Sequence, residues 1–257
     1  MVQPRVSAQE QFGRVAEAYV QSRTHAEGED LARIVALSEA GPTDEVLDIA
    51  TGGGHTALAL ARVAGSVTAT DLTPEMLAAA ERHIRAQGAG TVRCQVADAQ
   101  AVAFPDASFD IVTCRIAPHH FPKPADFVRE AWRVLRPGGR FLLEDTVVPA
   151  DEAGAAINRI EVIRDPSHAR SLTVDEWWVL LLDAGFTLLH LETFRKRHTL
   201  TDWMARTATP PAAQTEVRAA FAAAPPLVRR AFALEYDDAG TPLAYTDHKA
   251  LFVGVRT

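Results

Sequence analysis

The sequence has few cysteines, few lysines and no long apolar run among its 257 residues. Its two cysteines, Cys94 and Cys114, form no CxxC pattern and fall in predicted strands, so we expect two buried thiols. No stretch approaches the roughly 20 consecutive apolar residues of a membrane span, and the N-terminal residues lack the basic-then-apolar order of a signal peptide. These absences predict a cytoplasmic protein without a membrane partner.

Excess positive charge is also lacking. The formal net charge is −7 at pH 7, whereas a protein that follows a phosphate backbone carries a broad basic face, so we expect no nucleic-acid partner. Only three of the 26 basic residues are lysines, Lys123, Lys196 and Lys249, which we attribute to genomic composition rather than function. The length suits one substantial core, and we predict a single domain over residues 1–257.

Short β-branched runs alternate with helical patterns from residue 45 to residue 147. This alternation is typical of βαβ units and of a parallel sheet. The helix after the second strand has Thr73 as its N-cap and Pro74 at its first position. The five strands predicted in this part of the chain are Val46–Ile49, Ser66–Thr70, Val92–Val96, Ile111–Cys114 and Phe141–Val147.

The pattern after residue 147 is looser. It still predicts helices and two more strands, because apolar periodicity and start signals recur. The predicted elements are a helix over residues 151–164, a helix that starts with a capping box at Thr173–Glu176 and ends at Gly185, strands at Phe186–Phe194 and Leu251–Val255, and short helices from Trp203 to Tyr236.

A run of three glycines, Gly52–Gly54, follows the first predicted strand and precedes a helix. Glycines at such a point let the backbone approach a ligand closely, and the helix start offers free N–H groups. The same residues satisfy the dinucleotide fingerprint G-x-G-x-x-G/A, and Asp71 follows at the distance expected of a ribose-binding acid. On these residues alone, a dinucleotide site, a site for another nucleotide-containing cofactor and a plain tight turn are all compatible with the sequence.

Five stretches occur in one order across residues 45–147: Leu47–Gly54, Thr70–Met76, Ala97–Ala99, Phe104–Asp110 and Arg133–Gly139. Together they resemble the class I S-adenosylmethionine-dependent methyltransferases, in particular the subgroup related to the ubiquinone and menaquinone C-methyltransferases. Ala50 departs from the family, which more often has glycine there. The resemblance implies a doubly wound, Rossmann-like α/β sheet of seven strands, mostly parallel with an antiparallel strand near the C-terminus. It also implies S-adenosylmethionine as cofactor and methyl transfer to an O, N or C nucleophile of a small organic molecule.

The resemblance also implies roles for acidic residues at the strand ends. Asp48 and the glycine turn would border the methionine part of the cofactor, Asp71 would accept hydrogen bonds from both ribose hydroxyls, and Asp98 would meet the adenine amino group. The residues alone also allow Asp48 to be a buried acid that holds the turn, and Asp98 an acid that opens a loop. The candidate cofactor-binding residues are Tyr19, His25, Asp48, Ala50, Thr51, Gly52, Gly54, Asp71, Leu72, Asp98, Ala99 and Arg115.

Two adjacent histidines, His119 and His120, lie in the loop after the fourth predicted strand. Ligands of open α/β sheets bind at the carboxyl edge, where this loop lies. A histidine with a reference pKa near 6.5 suits a general base, so both are candidate catalytic residues. Exposed and purely structural histidines are the alternatives. We expect no metal, because adjacent histidines supply only part of a coordination shell.

Residues 1–40 and 148–250 are predicted to cover the acceptor, with residues 45–147 as the cofactor-binding core. The resemblance implies that the segment around Arg164 and His168 roofs the acceptor pocket, and these two are the candidate substrate residues. It also implies an N-terminal lid helix whose Tyr19 and His25 reach the cofactor or the acceptor. A solvated turn and a helix that simply docks are the respective alternatives.

Two other functions are compatible with parts of the sequence. An NAD(P)-dependent oxidoreductase would use the glycine turn and Asp71. A non-catalytic cofactor-binding accessory protein is disfavoured by the polar groups His119, His120, Arg164 and His168. A monomer and a homodimer are both compatible with the sequence.

Overall fold

Strands and helices alternate through most of the chain, as the sequence pattern predicts. The computed structural model describes residues 8–13, 16–20 and 28–257. Of the predicted site residues, His25 lies outside these ranges, and so does the side chain of Tyr19. No helix in the described ranges combines the length and apolar character that crossing a membrane requires.

One mixed sheet organises the fold. Its strands are β1 Glu45–Ile49, β2 Ser66–Asp71, β3 Val92–Val96, β4 Phe109–Arg115, β5 Leu135–Val147, β6 Phe186–Thr199, β7 Glu235–Tyr236 and β8 Pro242–Arg256. The spatial order is β3-β2-β1-β4-β5-β8-β6, and β7 pairs with β8 beside this path. Neighbours from β3 to β5 are parallel, whereas β8 is antiparallel to both β5 and β6. The predicted doubly wound sheet with an antiparallel strand near the C-terminus is confirmed.

The helices start where the sequence places capping residues. The Thr173 side chain and Glu176 form the predicted capping box, and Asp151 caps the helix before it by accepting from Ala153 N at 2.8 Å. The helices are α1 Ala8–Gly13, α2 Ala16–Val20, α3 Glu29–Ser38, α4 His55–Leu60, α5 Pro74–Ala86, α6 Pro124–Val134, α7 Glu152–Arg164, α8 Val174–Asp183, α9 Leu200–Arg206, α10 Pro211–Ala222 and α11 Pro226–Ala231, with a 3-10 turn at Pro118–His120.

The last two long strands differ from the sequence prediction. The structure has eight strands in its described residues rather than seven, because the short strand β7 joins the edge of β8. Strand β6 continues past Phe194 to Thr199, and β8 begins at Pro242 rather than at Leu251. The extra lengths pair with each other, from Arg195 opposite His248 to Thr199 opposite Ala244. The sequence did not predict these extra lengths because their residues are mostly polar, and the apolar pattern that predicts a strand stops where this two-stranded ribbon begins.

Alternation of side chains along each strand divides the core into two layers. Leu47 of β1 packs in the layer that contains Phe127 of α6 and Trp177 of α8. Its neighbour Val46 faces the other layer, which contains Ile84 of α5. Both faces of the sheet are therefore covered by helices, as a doubly wound fold requires.

A third apolar cluster holds the segments after β5 together. Ile157 of α7, Trp203 of α9 and Phe221 of α10 pack with Tyr245 of β8. This cluster sets α7 and α9 against the ribbon formed by the ends of β6 and β8. The cover over the carboxyl edge of the sheet is thus anchored on the last strand of the chain.

The glycine turn generates a prediction about stability. Gly54 has a φ of +82°, and a Cβ there would lie 2.9 Å from Ile84 Cδ1 and 3.2 Å from Ala80 Cβ. Gly88 has a similar φ of +77°, but a Cβ there would meet nothing within 4 Å. Because overpacking adds to the backbone cost, we expect Gly54→Ala to lose roughly 1–3 kcal/mol more unfolding free energy than Gly88→Ala. Urea unfolding of both variants measures this difference, and equal losses would contradict the close packing at Gly54.

Candidate active site

Hydrogen bonds donated by backbone N–H groups fix the glycine turn to the neighbouring strand β2. Thr51 N donates to Thr70 O at 2.8 Å, and Gly52 N donates to the Asp71 carboxylate at 3.1 Å. Ala50 adopts a φ of 55°, which costs a residue with a Cβ about 1–2 kcal/mol relative to glycine. Gly52 has the same φ, and a Cβ added to it would meet nothing within 4 Å. The turn therefore exposes its backbone to the space above the sheet.

Asp48 lies beneath the turn and links it to strand β4. Thr51 Oγ1 donates to one carboxylate oxygen at 2.6 Å, and Thr113 Oγ1 donates to the other at 2.7 Å. Burial raises the pKa of Asp48 to about 6, although both hydrogen bonds act in the opposite direction. Asp48 thus holds the turn, the alternative role named for it, while it also borders the cavity described below.

Asp71 is the last residue of strand β2, and Asp98 lies just after the end of strand β3. The Asp71 carboxylate accepts from Gly52 N and from Thr73 N at 2.9 Å, and burial raises its pKa. Asp98 accepts from Gln100 N at 2.9 Å and so caps the loop after β3. Both carboxylates face the same cavity as Asp48. Three acids are therefore grouped at the carboxyl ends of β1, β2 and β3.

A cavity of about 400 Å³ extends from these acids to the cover formed by α7, α9, β6 and β8. It brings together most of the residues predicted for the site. Those in its lining are Asp48, Ala50, Thr51, Gly52, Asp71, Leu72, Asp98, Ala99, Arg115, His119, His120 and Arg164. Gly54 lies outside the lining because it packs on α5, and His168 also lies outside.

The histidine pair lines the cavity from the 3-10 turn after β4. His119 Nδ1 lies 2.6 Å from Asp145 Oδ1, and the two histidine ring centroids are 4.3 Å apart. His120 Nδ1 lies 3.2 Å from Ser167 O, and its ring meets the edge of Phe12 at 4.9 Å. Burial lowers the pKa of His120 and takes the pKa of His119 well below its usual range. Both rings are therefore neutral at pH 7.

The His119–Asp145 contact defines how the imidazole is oriented. Burial raises the pKa of Asp145 to about 7, and the carboxyl lies on β5 beside the histidine loop. Donation from Nδ1–H to this carboxyl leaves the Nε2 lone pair of neutral His119 to accept a proton. A ring held in this way has the arrangement that a general base needs.

Arg115 joins three elements below the cavity. Its guanidinium pairs with Asp30 of α3, with Nε at 2.7 Å, and with Glu144 of β5 at 3.1 Å. Burial raises the pKa of Glu144 to about 8, so Asp30 is the principal counter-charge of Arg115 at neutral pH. Arg115 is part of a buried network and reaches the cavity wall as well.

The two predicted substrate residues have different surroundings. Arg164 pairs with Glu161 at 2.9 Å, and its guanidinium lies 4.5 Å from the Trp203 ring centroid, in the cavity wall. His168 is buried behind that wall and lies 3.0 Å from Asn158 Oδ1 through Nε2. Arg164, the last residue of α7, therefore lines the cavity, whereas His168 in the segment after this helix does not.

Five cavity residues that the sequence prediction missed lie on the ribbon of β6 and β8. We call Lys196, His198, Tyr245, Asp247 and Lys249 the polar ribbon. They occupy alternate positions on each strand, so they share one face of the sheet. The residues between them, Arg197, Thr246 and His248, are polar as well, so no apolar–polar alternation indicated a strand.

Hydrogen bonds join the polar ribbon into one network. Lys249 Nζ lies 3.2 Å from Asp247 Oδ2 and donates to Thr146 Oγ1 at 2.7 Å. His198 Nε2 lies 3.0 Å from the same Asp247 oxygen, and Arg206 donates to His198 Nδ1 at 3.1 Å. The donation from Arg206 fixes His198 as the neutral Nε2–H form, in agreement with its burial-lowered pKa.

The N-terminal helix α1 contacts both ends of the cavity. Gln9 donates to Leu72 O beside the acids, and Gln11 donates to Thr207 O after α9, each at 2.8 Å. Phe12 lines the cavity next to His120. Helix α1 thus lies against the cavity through Phe12, while the predicted contacts of Tyr19 and His25 lie outside the described residues.

These features define a doubly wound α/β protein whose ligand cavity lies at the carboxyl edge of its sheet. The methyltransferase domain family matches residues 47–143. The uncharacterized methyltransferase YcgJ of Bacillus subtilis is 32% identical over 95% of this chain and 97% of its own. Its crystal structure matches with a TM-score of 0.85, covering 88% of this chain and 97% of that chain.

Two further comparisons agree. A crystal structure of a candidate methyltransferase from Bacillus halodurans is 36% identical, with a TM-score of 0.86, and covers 89% of this chain and 99% of that one. The demethylmenaquinone methyltransferase of Thermus thermophilus is 36% identical over 58% of this chain and 70% of its own. The chain belongs to the class I S-adenosylmethionine-dependent methyltransferases. The glycine turn is therefore that of a methyltransferase, and the oxidoreductase interpretation is set aside.

The buried position of Asp48 generates a prediction about pH. Its pKa is raised from 3.8 to about 6 in the folded state, so ionisation disfavours folding as pH rises between these two values. Asp48→Asn removes this ionisation. We expect its unfolding free energy relative to wild type to increase from pH 4 to pH 7, by roughly 3 kcal/mol. Urea titrations at several pH values measure the change.

The control is Asp238→Asn, at an exposed acid far along the chain. Its difference from wild type should change little with pH. A pH-independent difference for Asp48→Asn would show that Asp48 ionises in the folded protein as easily as in the unfolded chain.

Proposed function

We propose that the cavity binds S-adenosylmethionine at the glycine turn and a small organic acceptor between the histidine pair and Arg164. One observation carries this proposal: a single cavity connects the three strand-end acids with the neutral, carboxyl-bound imidazole of His119. A cofactor and an acceptor that meet in one enclosed space gain the large rate advantage of proximity, with effective molarities of about 10⁵ M or more.

The residues at the acidic end fit the cofactor. Asp48, Asp71 and Asp98 surround it with negative charge, which suits a ligand that carries a sulfonium and an ammonium. The open space beside Gly52 admits a ligand against the backbone. S-adenosylmethionine, when bound, supplies an electrophilic methyl group. Asp71 would accept the ribose hydroxyls, because each carboxylate oxygen holds one N–H and retains a further lone pair.

His119 is the base in this proposal, with Asp145 as the group that positions it. His119 Nε2 would take the O–H or N–H proton of the acceptor, whose O or N atom would receive the methyl group as the cofactor's methyl–sulfur bond breaks and S-adenosylhomocysteine leaves. Such a base contributes about 10²- to 10⁴-fold. His120 would line the acceptor beside Phe12, and Arg115 would complete the wall. The chain would act as one domain, with α1 and the segments after β5 as the cover.

Ligand-dependent melting tests the cofactor assignment. We expect S-adenosylmethionine and S-adenosylhomocysteine to raise the melting temperature, because a ligand at 100 times its dissociation constant stabilises the folded state by about 2.7 kcal/mol. NADH and NADPH should have no effect. Stabilisation by NADH without any effect of S-adenosylhomocysteine would overturn the proposal.

A substitution at Asp71 tests the predicted contact with the cofactor ribose. Asp71→Asn should weaken S-adenosylhomocysteine binding by tenfold or more, since charge-assisted hydrogen bonds contribute about 1.5–3 kcal/mol each. Calorimetric titration measures the affinity, and exposed Asp183→Asn is the control. Unchanged affinity in a folded Asp71→Asn variant would remove Asp71 from the ribose site.

The proton state of His119 provides an acceptor-independent test of the base. Because burial lowers its pKa, we expect a neutral imidazole at pH 6, below the usual midpoint of a histidine. At pH 8, where the Asp145 carboxyl is ionised and accepts, we expect the ring proton on Nδ1. Long-range ¹⁵N NMR of the ring nitrogens reads both the charge and the tautomer, and His119→Asn assigns the signals. An imidazolium at pH 6, or a proton on Nε2 at pH 8, would contradict the base role. Asp145→Asn should shift the His119 signals, because it alters the group that holds Nδ1.

A further inference from the structure

Two neighbouring aromatic residues carry hydrogen-bond donors at the far end of the cavity, away from the glycine turn. Tyr245 of β8 and Trp203 of α9 both line the cavity, although they are only 1% and 2% exposed. Their ring centroids are 4.8 Å apart. Within residues 8–13, 16–20 and 28–257, neither the Tyr245 hydroxyl nor the Trp203 indole N–H has a hydrogen-bond partner. Because buried tyrosine and tryptophan donors are usually bonded, these two are open to a ligand in the cavity.

Packing of the Tyr245 ring leaves its hydroxyl as the part that reaches the cavity. The ring lies beside Trp203, beside Phe221 at a centroid distance of 5.4 Å and beside His198 at 5.5 Å. These contacts cover the carbon framework within the apolar cluster that joins α7, α9 and α10. Tyr236 differs, because its hydroxyl donates to Phe221 O at 3.0 Å. Tyr245 is thus held by its ring, and no hydrogen bond between described residues depends on its hydroxyl.

The Tyr245 hydroxyl is a neutral donor. Burial raises the pKa of this hydroxyl well above its ordinary value of 10. Glu161 and Asp247 raise the pKa further, and together they outweigh Arg164 and Arg206, which act in the opposite direction. The surrounding charge therefore disfavours an anion beside the hydroxyl. The indole N–H next to it can only donate, so both groups suit an uncharged atom that accepts hydrogen bonds.

We propose that Tyr245 and Trp203 bind a carbonyl oxygen of the methyl acceptor, which makes the acceptor a carbonyl compound. The inference rests on the proposed function, because it assigns the acceptor of that same cavity. A carbonyl oxygen has two lone pairs and no proton, so it accepts from both donors without needing an acceptor in return. A hydroxyl group would bring a donor of its own, and a carboxylate would bring a charge. The two rings also supply flat apolar surface for the carbon skeleton.

His119 and Tyr245 approach the cavity from different elements. His119 lies in the 3-10 turn after β4, and its ring neighbours are His120 and His168. Tyr245 lies on the part of β8 that continues past the end of β5. The His119 and Tyr245 rings share no neighbour among the ring contacts of the described residues. The carbonyl group is therefore held apart from the methylated atom near His119, and Tyr245 selects the acceptor rather than taking its proton.

Three probes of nearly the same shape test the proposal on the full chain saturated with S-adenosylhomocysteine. They are acetophenone, α-methylstyrene, in which CH₂ replaces the carbonyl oxygen, and benzoate, which carries a charge. Calorimetric titration at pH 7.5 should show acetophenone binding roughly fivefold or more tightly than α-methylstyrene and more tightly than benzoate. Tyr245→Phe keeps the ring and removes the hydroxyl, and it should reduce the preference for acetophenone over α-methylstyrene roughly threefold or more. Tyr236→Phe, the matched control, should leave this preference unchanged.

Stability of the free protein separates a ligand contact from a purely structural role. Tyr245→Phe should leave the urea midpoint unchanged or higher, whereas Tyr236→Phe should lower it, because only Tyr236 loses a hydrogen bond inside the protein. Four results would each overturn the proposal: a Tyr245→Phe midpoint as low as that of Tyr236→Phe, a carbonyl preference that is absent or survives Tyr245→Phe, tighter binding of benzoate than of acetophenone, or no acetophenone binding at millimolar concentration. Failure of the wild-type protein to bind S-adenosylhomocysteine would instead contradict the proposed function, so the two failures are distinguishable.

Discussion

The buried carboxylate of Asp48 is the interaction on which the rest of the site depends. It accepts a hydroxyl from the glycine turn through Thr51 and a hydroxyl from strand β4 through Thr113. Strand β4 in turn leads directly into the histidine loop. The position of the turn and the position of His119 are therefore set by one acid between two threonines. A buried acid that is costly to ionise is tolerated here because both of its oxygens receive donors.

The second organising feature is the antiparallel strand β8. Its insertion between β5 and β6 lets two long strands continue past the carboxyl edge as a paired ribbon. Because the ribbon extends under the cover helices, it places Asp247 and Lys249 in the same cavity as the glycine turn. A sheet of parallel strands ending at one level would leave this side of the cavity open.

The parts that the sequence predicted are those encoded locally. The strand that leads into Gly52–Gly54, the acid at Asp71 and the capping box at Thr173 each depend on residues a few positions apart. The parts that it missed join distant residues: His119 meets Asp145 across 26 positions, and His198 meets Asp247 across 49. No spacing rule connects such pairs, because the sheet order creates them. For the same reason the sequence did not separate Arg164, which lines the cavity, from His168, which lies behind it.

The two ends of the cavity differ in the length of their polar side chains and in how those side chains are held. The glycine-turn end has short acids at strand ends, where backbone N–H groups hold Asp71 and Asp98 and threonine hydroxyls hold Asp48. The far end has the longer side chains of the polar ribbon, whose strand β8 packs against α7 and α9. The two ends therefore share one cavity, but the hydrogen bonds described above hold their side chains from different strands, β1 to β3 at one end and β6 with β8 at the other.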